Sequence, residues 1–158
     1  GFTVLRHPLR RAWAAFTAMV KGGNADLRQL MREVYRVALP PEDALEEMTP
    51  DQQEACFAEF LDFLRRNLNG QTTLVVHPGW ASQSETLAGF ARFAMPDALI
   101  REENLTRDLS WLAGSVGVDH LPQASFATET MPGFLADKSL RRVARSAYLR
   151  DYIAFGFE

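Results

Sequence analysis

The stretch that decides the fold is residues 2–13, Phe2-Thr3-Val4-Leu5-Arg6-His7-Pro8-Leu9-Arg10-Arg11-Ala12-Trp13. Its β-branched, apolar beginning predicts a short strand that stops at Arg6. Pro8 follows at the position where the first turn of a helix accepts proline. Arg6 is therefore expected at the carboxyl end of a strand, beside the amides of a helix N-terminus, where a phosphate or sulfate can bind. The alternative is that Arg6 pairs with a carboxylate at the strand end.

The composition is that of one globular domain covering residues 1–158. Of these residues, 47% are hydrophobic and 23% are charged, which suits a soluble chain with a single core. The net charge of -3 argues against a general nucleic-acid-binding surface. The single cysteine, Cys56, excludes an intrachain disulfide and a cysteine-based zinc site, and we predict that it packs in the core.

The chain shows no sign of a membrane segment. Its apolar stretches are too short to span a bilayer, and the beginning of the chain is unlike a signal peptide, which together predict a cytoplasmic protein. A metal site is also not expected, because His7, His77 and His120 show no helical pairing and no metal-binding motif.

The spacing of apolar residues predicts a helix-rich α/β fold with a small, mostly parallel sheet. Recurrence every three or four positions predicts helices over 8–21, 26–39, 50–68, 106–116 and 138–155. A change to short β-branched or apolar runs predicts a strand or extended segment at 72–76 and another at 98–101. Residues 117–132 are predicted to form a long loop, and such loops are often functional.

Four further groups of residues are candidates for a site. His77 is either a general base at the end of the segment 72–76 or a hydrogen-bonded loop histidine. The residues 80–84, with Trp80, Ser82, Gln83 and Ser84, form either a polar, aromatic-walled surface or a loop that simply packs.

The other two groups are predicted to be structural. Glu102 and Glu103 follow the run 98–101, and adjacent side chains on a strand point to opposite faces, so they cannot act as one acid/base couple. Tyr148, Asp151 and Tyr152 lie at helical spacing, which predicts a tyrosine–carboxylate bond that anchors the last helix.

Five segments, taken in order, carry a family resemblance. They are residues 4–12, Asn67-Leu68-Asn69-Gly70-Gln71-Thr72, Trp80-Ala81-Ser82-Gln83, 96–105, and the closing Tyr148-Leu149-Arg150-Asp151-Tyr152-Ile153-Ala154-Phe155-Gly156-Phe157. Together they resemble the carboxyl-terminal part of a sulfotransferase that uses the sulfate donor PAPS (3′-phosphoadenosine 5′-phosphosulfate). The closest group is the bacterial NodH-like one, which is related more distantly to the carbohydrate sulfotransferases.

The resemblance implies a P-loop-type sulfotransferase fold and transfer of a sulfuryl group from PAPS to an acceptor hydroxyl or, less often, an amine. The acceptor would be a small molecule or a carbohydrate, and no metal is implied. Arg6 would hold the 3′-phosphate of PAPS, with Arg10 one turn further on. Residue 14 would also lie at the cofactor. The segments 80–83 and 117–132 would border the acceptor or the adenine.

Two departures from the family matter. Many members have a serine eight residues after the arginine, but this chain has Ala14 there and lacks that hydroxyl. The family's 5′-phosphosulfate loop and usual catalytic base precede this strand, so the resemblance implies the carboxyl-terminal portion of such a domain. The alternative is a non-catalytic module that binds an anion or a partner through the same face. A nucleotide kinase would need a lysine-bearing phosphate loop, and neither 21–24 nor 69–71 is placed for one.

Overall fold

A small parallel sheet lies at one side of a group of helices. The computed structural model describes residues 1–22, 24–42, 44–118 and 131–158. Strand β1 (Phe2–Leu5) pairs in parallel with β2 (Ala98–Arg101), with Phe2 opposite Ala98 and Leu5 opposite Arg101. The helix-rich α/β architecture with a small parallel sheet is therefore confirmed. Most of the predicted loop 117–132, including His120, falls outside the described residues.

Seven α-helices occur in the part of the chain that the structure describes. They are α1 (Pro8–Gly22), α2 (Ala25–Glu33), α3 (Pro50–Leu68), α4 (Gln83–Phe90), α5 (Leu105–Ser115), α6 (Lys138–Ala147) and α7 (Leu149–Phe155). The predictions for α1, α3 and α5 are confirmed to within one residue at each end. At the start of α3, the side chains of Thr49 and Gln52 each accept a hydrogen bond from the other's backbone amide, which fixes the first turn.

Two predicted segments differ from the structure: the second helix is shorter, and the segment 72–76 is not a strand. Helix α2 ends at Glu33 rather than residue 39, because Arg36 adopts a left-handed backbone with φ 57° that a helix cannot contain. In the segment 72–76, residues 72–74 form bends and residues 75–76 have no regular secondary structure, so the strand alternative is wrong. Its backbone is held by a side chain instead, since Asn67 Nδ2 donates to the Leu74 carbonyl at 2.7 Å.

The carboxyl-terminal helix is broken, although the apolar spacing continues through it. Tyr148 lies between α6 and α7 with φ -109° and ψ 32°, outside the helical region. Its side chain is buried, and its hydroxyl donates to the Trp80 carbonyl at 3.0 Å. The predicted tyrosine–carboxylate bond within the helix is therefore wrong for Tyr148, whose partner is a backbone group 68 positions away.

Helices α1, α3 and α6 enclose the core. The fully or almost fully buried aromatic residues there are Trp13, Phe16, Phe57, Phe60, Phe63 and Trp80. Many of these rings meet edge to face; the Trp13 and Phe57 centroids, for example, are 5.2 Å apart. Cys56 packs against this core, as predicted. Among the described helices, none combines the length and the apolar character that crossing a bilayer requires.

Candidate anion-binding site

The two parallel strands end at the same edge, and this brings Arg6 and Glu102 together. Each residue directly follows its strand, and Arg6 Nε donates to Glu102 Oε1 at 2.8 Å. A terminal nitrogen of Arg6 lies 2.6 Å from the same oxygen. The structure thus shows the carboxylate alternative. The Arg6 side chain is nevertheless 42% exposed, so its guanidinium is reachable from solvent.

A cavity of about 460 Å³ opens beside this ion pair. Its lining includes Val4 and Arg6 from β1 and the residue after it, Arg11 and Ala14 from α1, Gln83 from α4, and Glu102. The resemblance assigns three residues to the cofactor, Arg6, Arg10 and Ala14. Two of them, Arg6 and Ala14, line this one cavity. Its volume lies within the range of small-molecule sites.

Arg10, the third predicted residue, is placed differently. It is not among the residues that line the cavity, and its guanidinium lies 4.0 Å from Glu102 Oε2. Glu102 therefore has Arg6 on one carboxylate oxygen and Arg10 near the other. Arg11, the neighbour of Arg10 on α1, lines the cavity instead.

The N-terminus of α1 is partly capped by His7. Pro8 has no amide hydrogen, so Leu9 provides the first donor of the helix, and it donates to His7 Nδ1 at 3.2 Å. That bond places the ring proton on Nε2, which lies 3.2 Å from the Glu158 carbonyl. The first amide of α1 therefore already has an acceptor within the chain. Burial against Tyr152 and Phe157 lowers the pKa of His7.

This environment predicts a pH dependence of stability. Because the pKa of His7 is lower in the folded chain than in the unfolded chain, the unfolded state binds more protons near pH 6.5. The stabilisation is complete above the unfolded pKa and is lost as the pH falls through the folded one. We expect urea unfolding from pH 7.5 to 5.5 to show falling stability, and His7→Gln to flatten this slope. The exposed His77→Gln is the control; an equally flat slope there would contradict the assignment.

Gln83 fixes the backbone of Arg6. Its side-chain oxygen accepts from the Arg6 amide at 2.9 Å, and its side-chain nitrogen donates to the Arg6 carbonyl at 2.8 Å. The amide group thus continues the pairing of β1 beyond the last residue of the strand. Gln83 is 7% exposed, so this contact is largely shielded from water. The sequence left Gln83 either on a polar surface or in a loop that packs, and no local signal marks its partner 77 positions away.

Asp151 holds the start of α4 and thereby Gln83. Its carboxylate is fully buried and accepts from the Gln83 amide at 2.9 Å and from the Ser84 amide at 2.9 Å. The hydroxyls of Ser82 and Ser84 donate to it as well, at 2.5 and 2.8 Å. A carboxylate at a helix N-terminus also complements the helix dipole. The position of Arg6 therefore depends on a chain of contacts that starts in α7.

The side chains of Trp80 and His77 are engaged in contacts within the chain rather than directed into an open site. Trp80 is 1% exposed and its indole nitrogen donates to Asn67 Oδ1 at 2.9 Å, so of the two alternatives Trp80 follows the one in which the segment packs. His77 stacks on Trp80 with 4.8 Å between ring centroids, and its Nδ1 accepts from the Gly79 amide. His77 is thus the hydrogen-bonded loop histidine of the two alternatives.

The arrangement suits an anion rather than a cation. Two guanidinium groups and one carboxylate line the cavity, and the described residues contain no group of three or more histidine, cysteine or acidic side chains that could hold a metal. Comparisons with protein-family models, curated proteins and solved structures found no match for this chain.

Proposed function

We propose that this chain is the 3′-phosphate and acceptor-side portion of a PAPS-dependent sulfotransferase of the bacterial NodH-like type, with a P-loop-type fold and a cytoplasmic location. The observation that carries the proposal is the cavity between β1 and α1. Arg6 and residue 14, eight positions apart, both line it at the carboxyl edge of a parallel sheet. Ligands of α/β folds commonly bind at that edge.

The sheet supports the proposal that the chain is part of a larger domain. Parallel sheets are normally covered on both faces and have more than two strands. Here Phe2 is 48%, Val4 40% and Leu99 51% exposed. Apolar side chains at these positions fit further strands or helices packing on this sheet in a longer chain. The phosphosulfate loop and the catalytic base would belong to that part.

The reaction needs charge stabilisation and positioning from the residues of this site. In the transfer, the acceptor oxygen bonds to sulfur while the sulfur–oxygen bond to the adenosine phosphate breaks, and the acceptor proton passes to a base in the other part of the domain. Holding the 3′-phosphate fixes the donor for this in-line displacement, as in phosphoryl transfer. Arg6 would supply one charged fork, and the acceptor would be a carbohydrate or another small molecule.

Glu102 sets a condition on binding. A phosphate that takes the Arg6 guanidinium must displace the Glu102 carboxylate or share the cation with it. Arg10, already 4.0 Å from Glu102 Oε2, is placed to hold the displaced carboxylate. The site can therefore exchange its internal anion for an external one without leaving a charge unpaired.

The direct test is calorimetry with adenosine 3′,5′-bisphosphate. We expect the chain to bind it and Arg6→Ala to weaken binding at least ten-fold, since each decade corresponds to about 1.4 kcal/mol. Arg32→Ala, an exposed residue of α2, is the charge-matched control and should change little. Equal affinity of the Arg6 and Arg32 variants would contradict the proposal. So would a lack of binding by a longer chain that contains the upstream loop.

A second candidate is a non-catalytic module that binds an anion or a partner through the same face. The Arg6–Glu102 pair favours it, because the cation already has a partner, and so does the missing hydroxyl at Ala14. One measurement distinguishes the two candidate functions. The sulfotransferase proposal predicts transfer of labelled sulfuryl from PAPS by the longer chain, whereas the module binds without transfer.

A further inference from the structure

We infer that Arg11 is the second guanidinium of this site and binds the same phosphate monoester dianion as Arg6. The inference rests on the proposed function and adds a binding residue to it. Arg11 lines the cavity together with Arg6, whereas its neighbour Arg10 does not. Two adjacent arginines of α1 thus have different roles, one facing the cavity and the other facing Glu102.

Arg11 has hydrogen-bond donors that bond to no other described residue. Within the described ranges it has one hydrogen bond, from a terminal nitrogen to the Pro78 carbonyl at 2.9 Å, and it forms no ion pair. Its Nε is buried and has no partner. Arg6, by contrast, shares both Nε and a terminal nitrogen with Glu102. Arg11 is therefore the cation of the cavity that has no carboxylate partner among the described residues, and an anion in the cavity could accept hydrogen bonds from its terminal nitrogens.

The helix surface next to Arg11 leaves room for that anion. Ala14, Ala15 and Ala18 follow at three, four and seven positions, the spacing of one helix face, and all three line the cavity. Alanine side chains are short, so this face of α1 leaves open space in the cavity that Arg11 also lines. The missing hydroxyl at position 14 removes one donor to the phosphate, and Arg11, one turn earlier on the same face, has terminal donors beyond the one bonded to Pro78.

The charges of the cavity favour a dianion. Arg6 and Arg11 contribute two positive charges and Glu102 one negative charge to the lining. Once Glu102 turns to Arg10, the two guanidinium groups face two negative charges of a phosphate monoester. Bidentate arginine contacts to phosphate are strong and geometrically specific.

The experiment is calorimetry with adenosine 3′,5′-bisphosphate on the chain and on four variants. We expect Arg11→Ala to weaken binding at least ten-fold and Arg11→Lys, which keeps the stem and the charge but loses the fork, to weaken it about three-fold, since a fork adds bonds that an ammonium cannot make. Arg10→Ala removes the cation that would hold the displaced Glu102 carboxylate, so it should weaken binding, but less than Arg11→Ala does. Arg32→Ala, the exposed control, should change binding by less than about three-fold.

A second measurement separates binding from a structural role. The second pKa of a phosphate monoester is near 6, so the affinity of the chain should rise from pH 5 to 7 as the dianion forms. Removing Arg11 should reduce this rise. A purely structural role would lower the thermal midpoint of the unliganded chain and leave the pH profile of affinity unchanged.

Each outcome decides the inference. If the chain binds and Arg6→Ala weakens binding while Arg11→Ala matches Arg32→Ala, the inference is overturned and the proposed function stands. A loss at Arg10 without a loss at Arg11 also overturns it. If the chain and its longer form bind nothing, the proposed function fails, and the inference fails with it. If Arg11→Ala does not fold, an Arg11→Lys variant with full affinity and an unchanged pH profile overturns the inference.

Discussion

Replacing Asp151 with asparagine should lower the free energy of unfolding by about 3 kcal/mol, because a fully buried carboxylate that accepts charge-assisted hydrogen bonds is lost. Its two oxygens accept from the amides of Gln83 and Ser84 and from two serine hydroxyls. An asparagine offers one oxygen, and its amide group would face a backbone donor. Urea unfolding monitored by circular dichroism measures the change.

The control for Asp151 is Ser84→Ala, which removes one hydroxyl donor and keeps the carboxylate and both amide bonds. It should cost about 1 kcal/mol, the net value of one hydrogen bond. If Asp151→Asn costs no more than Ser84→Ala, the carboxylate does not hold α4. Because Gln83 at the start of α4 fixes the Arg6 backbone, Asp151→Asn should also weaken adenosine 3′,5′-bisphosphate binding.

Replacing Trp80 with alanine should lower the free energy of unfolding by about 3–5 kcal/mol, the usual cost of emptying a large aromatic position in a core. Trp80 is 1% exposed and meets Phe60 and Phe63 edge to face at 6.0 and 6.1 Å between centroids. Its indole nitrogen also donates to Asn67. The variant thus loses both ring packing and a buried hydrogen bond, as urea unfolding would show.

Trp80→Phe separates these two contributions. It keeps an aromatic ring against Phe60 and Phe63 but leaves Asn67 Oδ1 without its donor, which should cost about 1–3 kcal/mol for the unpaired polar atom plus a smaller packing loss. A value for Trp80→Phe equal to that for Trp80→Ala would show that the hydrogen bond dominates. A Trp80→Ala variant with nearly full stability would contradict the buried position of the ring.

The beginning of the fold was predictable because its signals are local. The apolar run 2–5, the proline at position 8 and the helical spacing up to Val20 place the strand, the helix and Arg6 with no knowledge of distant residues. The partner of Arg6 was not predictable in the same way. The sequence left an anion and a carboxylate as alternatives, and Glu102, 96 positions away, is the partner in the structure.

The remaining differences arise where tertiary contacts override a regular pattern. Apolar spacing continues through Tyr148, yet burial of its side chain and the bond to Trp80 break the helix there. No local signal marks the partners of Gln83 and Asp151, because what they bind is backbone brought in from other elements. Arg10 and Arg11 are adjacent, and only the packing of α1 decides which of them faces the cavity.

The parallel pairing of β1 and β2 also determines at which stage of folding the carboxyl edge of the sheet can form. The two strands are separated by most of the helices, and Arg6 meets a residue 96 positions away. Closing a loop of that length costs about 4 kcal/mol of chain entropy beyond the constant term. The strands cannot offset this with their few hydrogen bonds, so local helices and their aromatic contacts must assemble first. We therefore expect the pocket beside Arg6 to be among the last parts of the molecule to form.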